Sequence, residues 1–404
     1  MSTTPQPEPA ITPEASQAAW RQVRNYLNRS RFELTQTAMA GWPLHEFAPG
    51  GRVLARKHWI PETPVPLEQV RLRWQDQTPL APIDGSGAEL DAIRAQRADG
   101  APYIFYADAV RDLAKPRLFE NRGCYRLLKV AEDATEPTLT FGRGHYFDVI
   151  NICEAAAHEY AAAVLGAAGQ PVTGPSATPF RAAMGDPTDL DRRPVMAAVS
   201  TLAIRYDRQT GSAEFVLHWR DPAKVASGGG LFQVMPVGMF QASHDAPWNV
   251  ANDFDLWRAI ARELSEELLG SSEDYGSDTA PIDYDAWPFN QALSAARAAG
   301  TLRVYWLGLG MDPLTLVTDM LTVAVFEAEL FDATFARIVS TNDEGHRVQL
   351  EDGTGQAVGI PFTAEQVERL TCREPMQPAG AALLQLAWQH REVILSGAAS
   401  PFGA

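Results

Sequence analysis

The sequence predicts an α+β or αβα sandwich arrangement rather than a doubly wound sheet. Three observations point there. Residues 195–206 (VMAAVSTLAIRY), 213–219 (AEFVLHW), 302–310 (LRVYWLGLG) and 322–330 read as strands, being β-branched, apolar runs bounded by turn residues. Helical-period segments at 253–269, 291–299, 363–370 and 380–396 fall among those strands without strict alternation. A Pro/Gly/Asp-rich stretch, 169–194, separates this pattern from a differently composed first half and reads as a linker.

Taken in order, residues 1–13 read as a disordered tail, since MSTTPQPEPA is polar and Pro-rich with no basic or apolar core. Residues 14–40 predict one helix, with Trp20, Val23, Leu27 and Leu34 near helical spacing, ended at Gly41-Trp42-Pro43. Residues 43–90 read as loops plus a short strand at Val70–Trp74. A helix in PYIFYADAVRDLAKP, a strand in NRGCYRLLKV, strands flanking a Gly142-Arg143-Gly144-His145 turn and an Ala-rich helix over 152–168 complete the region 14–190. The second unit is 191–404. In it, Gly228-Gly229-Gly230 leads into a strand over 231–240, which fits a hairpin link rather than a phosphate loop, because no GK[ST] follows.

Composition bounds the function. The chain has 404 residues, 46% of them hydrophobic and 21% charged, with a formal net charge of −16, which are values of a globular protein with room for a large core. Residues 1–190 hold 19 basic and 22 acidic side chains, whereas residues 191–404 hold 15 and 28. Such an acidic half would repel a phosphate backbone, so direct DNA binding is not expected. No run approaches the length of a membrane span. Cys124, Cys153 and Cys372 are few, odd in number and far apart, which argues against a disulfide framework and for a reducing, cytoplasmic setting. The sequence leaves room for a homodimer.

The segment 253–270, DFDLWRAIARELSEELLG, is the most informative. Leu256, Ile260, Leu264 and Leu268 form one apolar stripe, widened by Trp257 and Ala261. Glu263, Glu266 and Glu267 are related as i, i+3 and i+4, and like charges so placed repel one another. A hard divalent cation would remove that repulsion, so the trio reads as a metal–phosphate platform, and Arg262 could orient a neighbouring acid. The plain alternative is an exposed acidic helix face.

Arg262-Glu263-Leu264-Ser265-Glu266-Glu267 resembles the REUXEE heart of the Nudix box, and the order of strands, Pro-Gly turn, box helix, strands and closing helix is similar to that superfamily over about residues 195–395. The resemblance implies a Nudix-like αβα sandwich with a mixed sheet. It implies Mg²⁺ or Mn²⁺ held by Glu263, Glu266 and Glu267, an orienting Arg262, and water attack on the diphosphate of a nucleotide-like small molecule. Glu266 or Glu267 would be the base, with Glu327 a further candidate. The box departs from the pattern GX5EX7REUXEEXGU: the first glycine position holds Trp248, the upstream glutamate position Phe254 and the late glycine position Leu269. Asp253 or Asp255 could replace the upstream acid, and Pro236-Val237-Gly238 stands where Pro-Gly-Gly is usual. The reading favoured overall is the hydrolase; the broken box favours the alternative, a catalytically inactive Nudix-like protein that senses a nucleotide or related metabolite. Stretches such as LFENRGCYRLL, LHWRDPAKVA and PIDYDAWPF are also similar to a group of actinobacterial proteins described as helix-turn-helix regulators, although no complete helix-turn-helix is visible here.

Other residues carry weaker signals. Arg258, one turn before Arg262, and Arg303 could meet a phosphate, and both more often serve as surface ion-pair partners. Phe232, Tyr305 and Trp219 could stack on a base, against a default of core packing. His158-Glu159 lacks the second histidine of a zinc-protease helix and reads as a helix-surface or interdomain pair. Ser200, Ser243 and Ser265 lie in no nucleophile elbow.

Overall fold

A computed structural model describes residues 11–43, 47–117, 119–133, 136–172, 174, 176–220, 230–336, 345–348, 350–351 and 357–397; of 345–348, 350–351 and 357–358 it describes the backbone alone. Gly228 and Gly229 of the expected hairpin link, and the expected disordered tail up to residue 10, lie outside these residues. The fold is α+β with a mixed sheet. Its central strands are Leu302–Met311, Thr318–Glu327 and Ala197–Tyr206. The first two run antiparallel as a tight hairpin, and Thr318–Glu327 pairs in parallel with Ala197–Tyr206, from Thr318↔Ala197 to Glu327↔Tyr206. Ala213–Phe215 and Val237–Met239 both pair antiparallel with Ala197–Tyr206, at different ends of it, and Ile360–Pro361 extends the sheet beyond Ala213–Phe215.

The central strands are buried at consecutive positions, not alternate ones, so both faces of the sheet are covered. Helix Pro378–Gln389 packs across all three. The box helix, Leu256–Leu269, packs on Ala197–Tyr206 and Val237–Met239, and Pro288–Ala298 packs on Leu302–Met311. The box helix starts where Asp255 caps it, accepting the N–H of Arg258 at 2.9 Å, and ends at Gly270 in the left-handed conformation. No described helix is long and apolar enough to cross a membrane.

Several expected elements differ. The first helix breaks at Ser30 into Pro13–Arg29 and Arg31–Met39, because Ser30 leaves helical geometry and takes the C-cap of the first segment. The strand expected over 231–240 is two short strands, Phe232–Val234 and Val237–Met239, divided by a cis Met235–Pro236 bond. The Gly142–His145 turn is instead the end of strand Thr138–His145. The Ala-rich helix starts earlier, at Tyr146, and carries a π-helical stretch, Ile150–Glu154.

The stretch expected to be a linker is packed structure. It carries the helix Pro179–Met184, with Phe180 and Met184 buried, and the fully buried Arg193. The two halves also share one core. Strand Val65–Pro66 of the first half pairs with Leu302–Met311, so it becomes the edge of the main sheet. A second sheet (Arg71–Trp74, Thr138–His145, Gly123–Val130) meets the first through bridges Arg126↔Met196 and Cys124↔Gln241.

Candidate functional site

A cavity of about 320 Å³ opens beside the box helix. Glu263 and Glu266 line it from the C-terminal half, together with Gln241, Asp312 and Asp319. Arg31, Thr35, Phe119, Glu120, Arg122 and Tyr146 line it from the N-terminal half. The sequence places these groups by local rules. Glu263 and Glu266, at i and i+3, are half-buried on a helix of which most other residues are buried. The cis-Pro turn lays Gly238 against Glu263, and a Cβ at 238 would displace the Glu263 carboxylate, the mobile end of that side chain.

Glu266 accepts the Tyr275 hydroxyl at 2.7 Å. Burial, opposed by that hydrogen bond and reinforced by the charge of Glu273, pushes its carboxyl up to about 7. Glu267 is buried but forms no part of the cavity wall. Of the three glutamates expected to share a cation, Glu263 and Glu266 line the cavity and Glu267 does not. Among the described residues no three His, Cys, Asp or Glu side chains group as metal ligands. Mg²⁺ can be held by one or two carboxylates when substrate phosphates complete its shell, so Glu263 and Glu266 are the residues that would hold it here.

Arg262, expected to orient an acid of the helix, is buried and feels the charge of Glu263. It donates to the Tyr284 hydroxyl and to the Gln241 carbonyl at 2.7 Å, and lies 3.8 Å from Asp253. Asp253 is fully buried, accepting the Ser243 N–H and hydroxyl at 2.7 and 2.6 Å and the Tyr284 hydroxyl at 2.9 Å. Neither Asp253 nor the capping Asp255 lines the cavity. Phe254, at that acid's position, joins an aromatic cluster with Trp74, Tyr125, Phe141 and Phe240, at ring distances of 5.1–5.8 Å. Trp248 is 43% exposed and donates to the Ser277 carbonyl.

The other candidates lie elsewhere. Glu327 pairs with Arg208 at 2.7 Å and Arg303 at 2.9 Å; partial burial opposes, but those two arginines hold its carboxyl below the usual range. Arg303 also donates to the Leu395 carbonyl, and Arg258 donates to the Asn252 carbonyl and stacks 4.6 Å from the Tyr284 ring centre. Phe232 sits on its short strand, and Tyr305 is buried opposite Pro66. None of these lines the cavity. His158 is buried, not at a surface: it meets the Tyr106 hydroxyl at 2.9 Å and stacks on Trp20, and burial with the Arg24 charge pushes its ring down to about 3. Glu159 caps Pro179–Met184 through the N–H groups of Phe180 and Arg181.

Sequence reasoning missed Arg31, Arg122, Asp312 and Asp319. Asp319 accepts the Ser200 hydroxyl at 2.7 Å, and burial, opposed by that bond and reinforced by Asp312, pushes its carboxyl up to about 7. One signal existed: an aspartate within the apolar run TDMLTVAVF has to be buried, and a buried carboxylate needs a reason. Arg31 belongs to the basic helix face of Arg21, Arg24, Arg29 and Arg31, whose composition favours a solvated face over an acidic partner; Arg24 and Arg31 are instead buried on Glu154, remote in sequence. No protein-family model matches the chain, and no curated protein is similar enough to count as a relative.

Proposed function

We propose that the protein is a Nudix-like ligand-sensing protein that binds a small polar metabolite in the cavity between its two halves. One observation carries this reading: the cavity wall is built by both halves of the chain, while only two of the three box glutamates reach it. An occupant would touch helix Arg31–Met39 and the box helix together, which is what a sensor needs in order to pass its state to the N-terminal region.

The test is calorimetry on the full chain with a nucleotide panel including ADP-ribose, with and without Mg²⁺, and chromatographic analysis of the same mixtures. Binding without product is expected. Mg²⁺-dependent hydrolysis that is lost in Glu266→Gln would overturn the sensor reading. That outcome belongs to the second reading, a Mg²⁺-dependent Nudix-type hydrolase, which one observation favours. Glu266 faces the cavity with a proton affinity suited to a general base that takes a proton from attacking water. Magnesium would supply charge neutralisation at the phosphates when bound.

A further inference from the structure

The second sheet ends in an open, cationic edge. Strand Arg71–Trp74 pairs in parallel with Thr138–His145 on one side and with no described strand on the other. The N–H groups of Arg71 and Gln75 donate to the carbonyls of Pro137 and Phe141, at 2.8 Å each. Those of Leu72 and Trp74, at the alternate positions, therefore point to the open side. Backbone groups so placed are a template for one more strand.

The side chains of this strand alternate. Trp74 turns inward, its ring 5.4 Å from that of Phe254 and 6.0 Å from that of Tyr125, and Leu72 packs on the same core; both are half-buried at the rim. Arg71 and Arg73 are exposed on the opposite face. Arg73 pairs with Thr140 and Thr140 with the exposed Lys129, so the positive charge continues across the sheet. Arg143 adds a further cation, 5.7 Å from the Trp74 ring centre. Arg71 donates to the Glu68 carbonyl at 3.5 Å, and Arg73 and Lys129 have no hydrogen-bond or ion-pair partner among the described residues. The nearby carboxylates stand at the margins: Glu68 and Asp76 beyond the two ends of the strand, Glu132 and Glu136 between the other two strands. In a chain of net charge −16 this face is a local reversal of sign.

These features select a partner. The same edge of a second copy is rejected, because like charges directly opposite one another destabilise a strand pair. A nucleic acid would satisfy the charge, but its phosphates offer no donors to the open carbonyls, and Trp74, the aromatic residue of the edge strand, is turned inward rather than presented for base stacking. An extended peptide meets every requirement. Its main chain continues the ladder, its acidic side chains reach Arg71 and Arg73, and apolar side chains alternating with them cover the rims of Leu72 and Trp74.

We propose that strand Arg71–Trp74 receives an extended segment of another protein in which acidic and apolar residues alternate.

The experiment follows the fluorescence anisotropy of a labelled, end-blocked peptide of alternating glutamate and valine, titrated with the full chain at low and at physiological salt. Saturable binding that weakens with salt is expected. The lysine–valine counterpart should not bind. The glutamate–valine peptide N-methylated throughout, which keeps its charges and loses its donors, should bind at least about tenfold more weakly. Arg71→Glu/Arg73→Glu should weaken the parent peptide about tenfold, because two attractive cross-strand charge pairs become repulsive. Should that double reversal not fold, Arg73→Gln, a neutral change at a partnerless position, should act in the same direction. No saturation at millimolar peptide, undiminished binding of the N-methylated peptide, or binding untouched by the arginine substitutions overturns the proposal. Equal or tighter binding of a poly-uridylate RNA also overturns it, and would make this face a phosphate-binding surface.

Discussion

At the scale of single residues, a buried charge cluster shares Arg31 with the cavity wall. Glu154, at the end of the π-helical stretch, is 1% exposed and takes Arg24 and Arg31 on its two oxygens. Burial alone would raise its carboxyl, but Arg31 and Arg24 together hold it down at about 2. The unfolded value lies near 4.5, so the pairing stabilises the fold fully above that pH, and the contribution is lost as pH falls through about 2. His158 acts in the same sense from a higher pH. Its ring stays neutral in the fold down to about 3, while the unfolded chain takes up a proton near 6.5. Glu154→Gln leaves two buried guanidinium groups without their counter-charge and should cost about 3–5 kcal/mol, the range for breaking a buried pair from one side. Urea unfolding at pH 7 checks this, and the difference between the variant and the parent should narrow as the pH is lowered. A loss well under 1 kcal/mol would mean that water enters the cluster and replaces the carboxylate.

At the scale of elements, the box helix and the cis-Pro turn form one unit through the contact of Gly238 with Glu263. Gly238→Ala should push the Glu263 carboxylate aside and cost about 1 kcal/mol, the low end for overpacking, because the displaced atoms end a flexible side chain. Shortening the partner in Gly238→Ala/Glu263→Ala should recover most of that loss, and the interaction term of the double-mutant cycle measures it. Additive effects of the two substitutions would show that the turn moves freely away from the helix. This pair also marks how far the sequence can be read. The helix was legible from its apolar stripe, and its capping Asp255 and closing Gly270 agree with that reading. The fate of its three glutamates was not legible. Periodicity gives the face on which Glu267 lies, but what that face meets depends on strands distant in sequence. The break at Ser30 was equally hidden, because the apolar spacing runs on either side of it and only packing against the helix Ala155–Gly166 separates the two segments.

At the scale of the whole molecule, the sequence pattern changes near residue 190, and yet the packing does not. A Pro/Gly/Asp-rich composition reads as a linker because such residues favour turns. Here the turns are anchored by buried Phe180, Met184 and Arg193, and no local pattern reveals those contacts. Two structural joins then bind the halves. Val65–Pro66 closes the edge of the main sheet on Leu302–Met311, and Phe254 completes an aromatic cluster whose other rings include Trp74, Tyr125 and Phe141 from the first half. A boundary crossed by a strand pairing and a shared core has no low-energy way to open alone, so the halves should unfold together. Residues on both sides report on this. Trp20 and Trp59 are buried in the first half and Trp306 in the second, so tryptophan emission samples both while far-ultraviolet circular dichroism follows the backbone. The two signals should give one coincident transition in urea, with a calorimetric enthalpy equal to the van't Hoff value. Removing the ring that joins the halves, in Phe254→Ala, should lower the midpoint for both probes by the same amount, the loss being about 2–3 kcal/mol, below that of a fully buried aromatic because Phe254 is half-buried. Two separated transitions, or a Phe254→Ala variant in which only one probe shifts, would mean that the halves are independently stable and that the cavity between them can open without unfolding either.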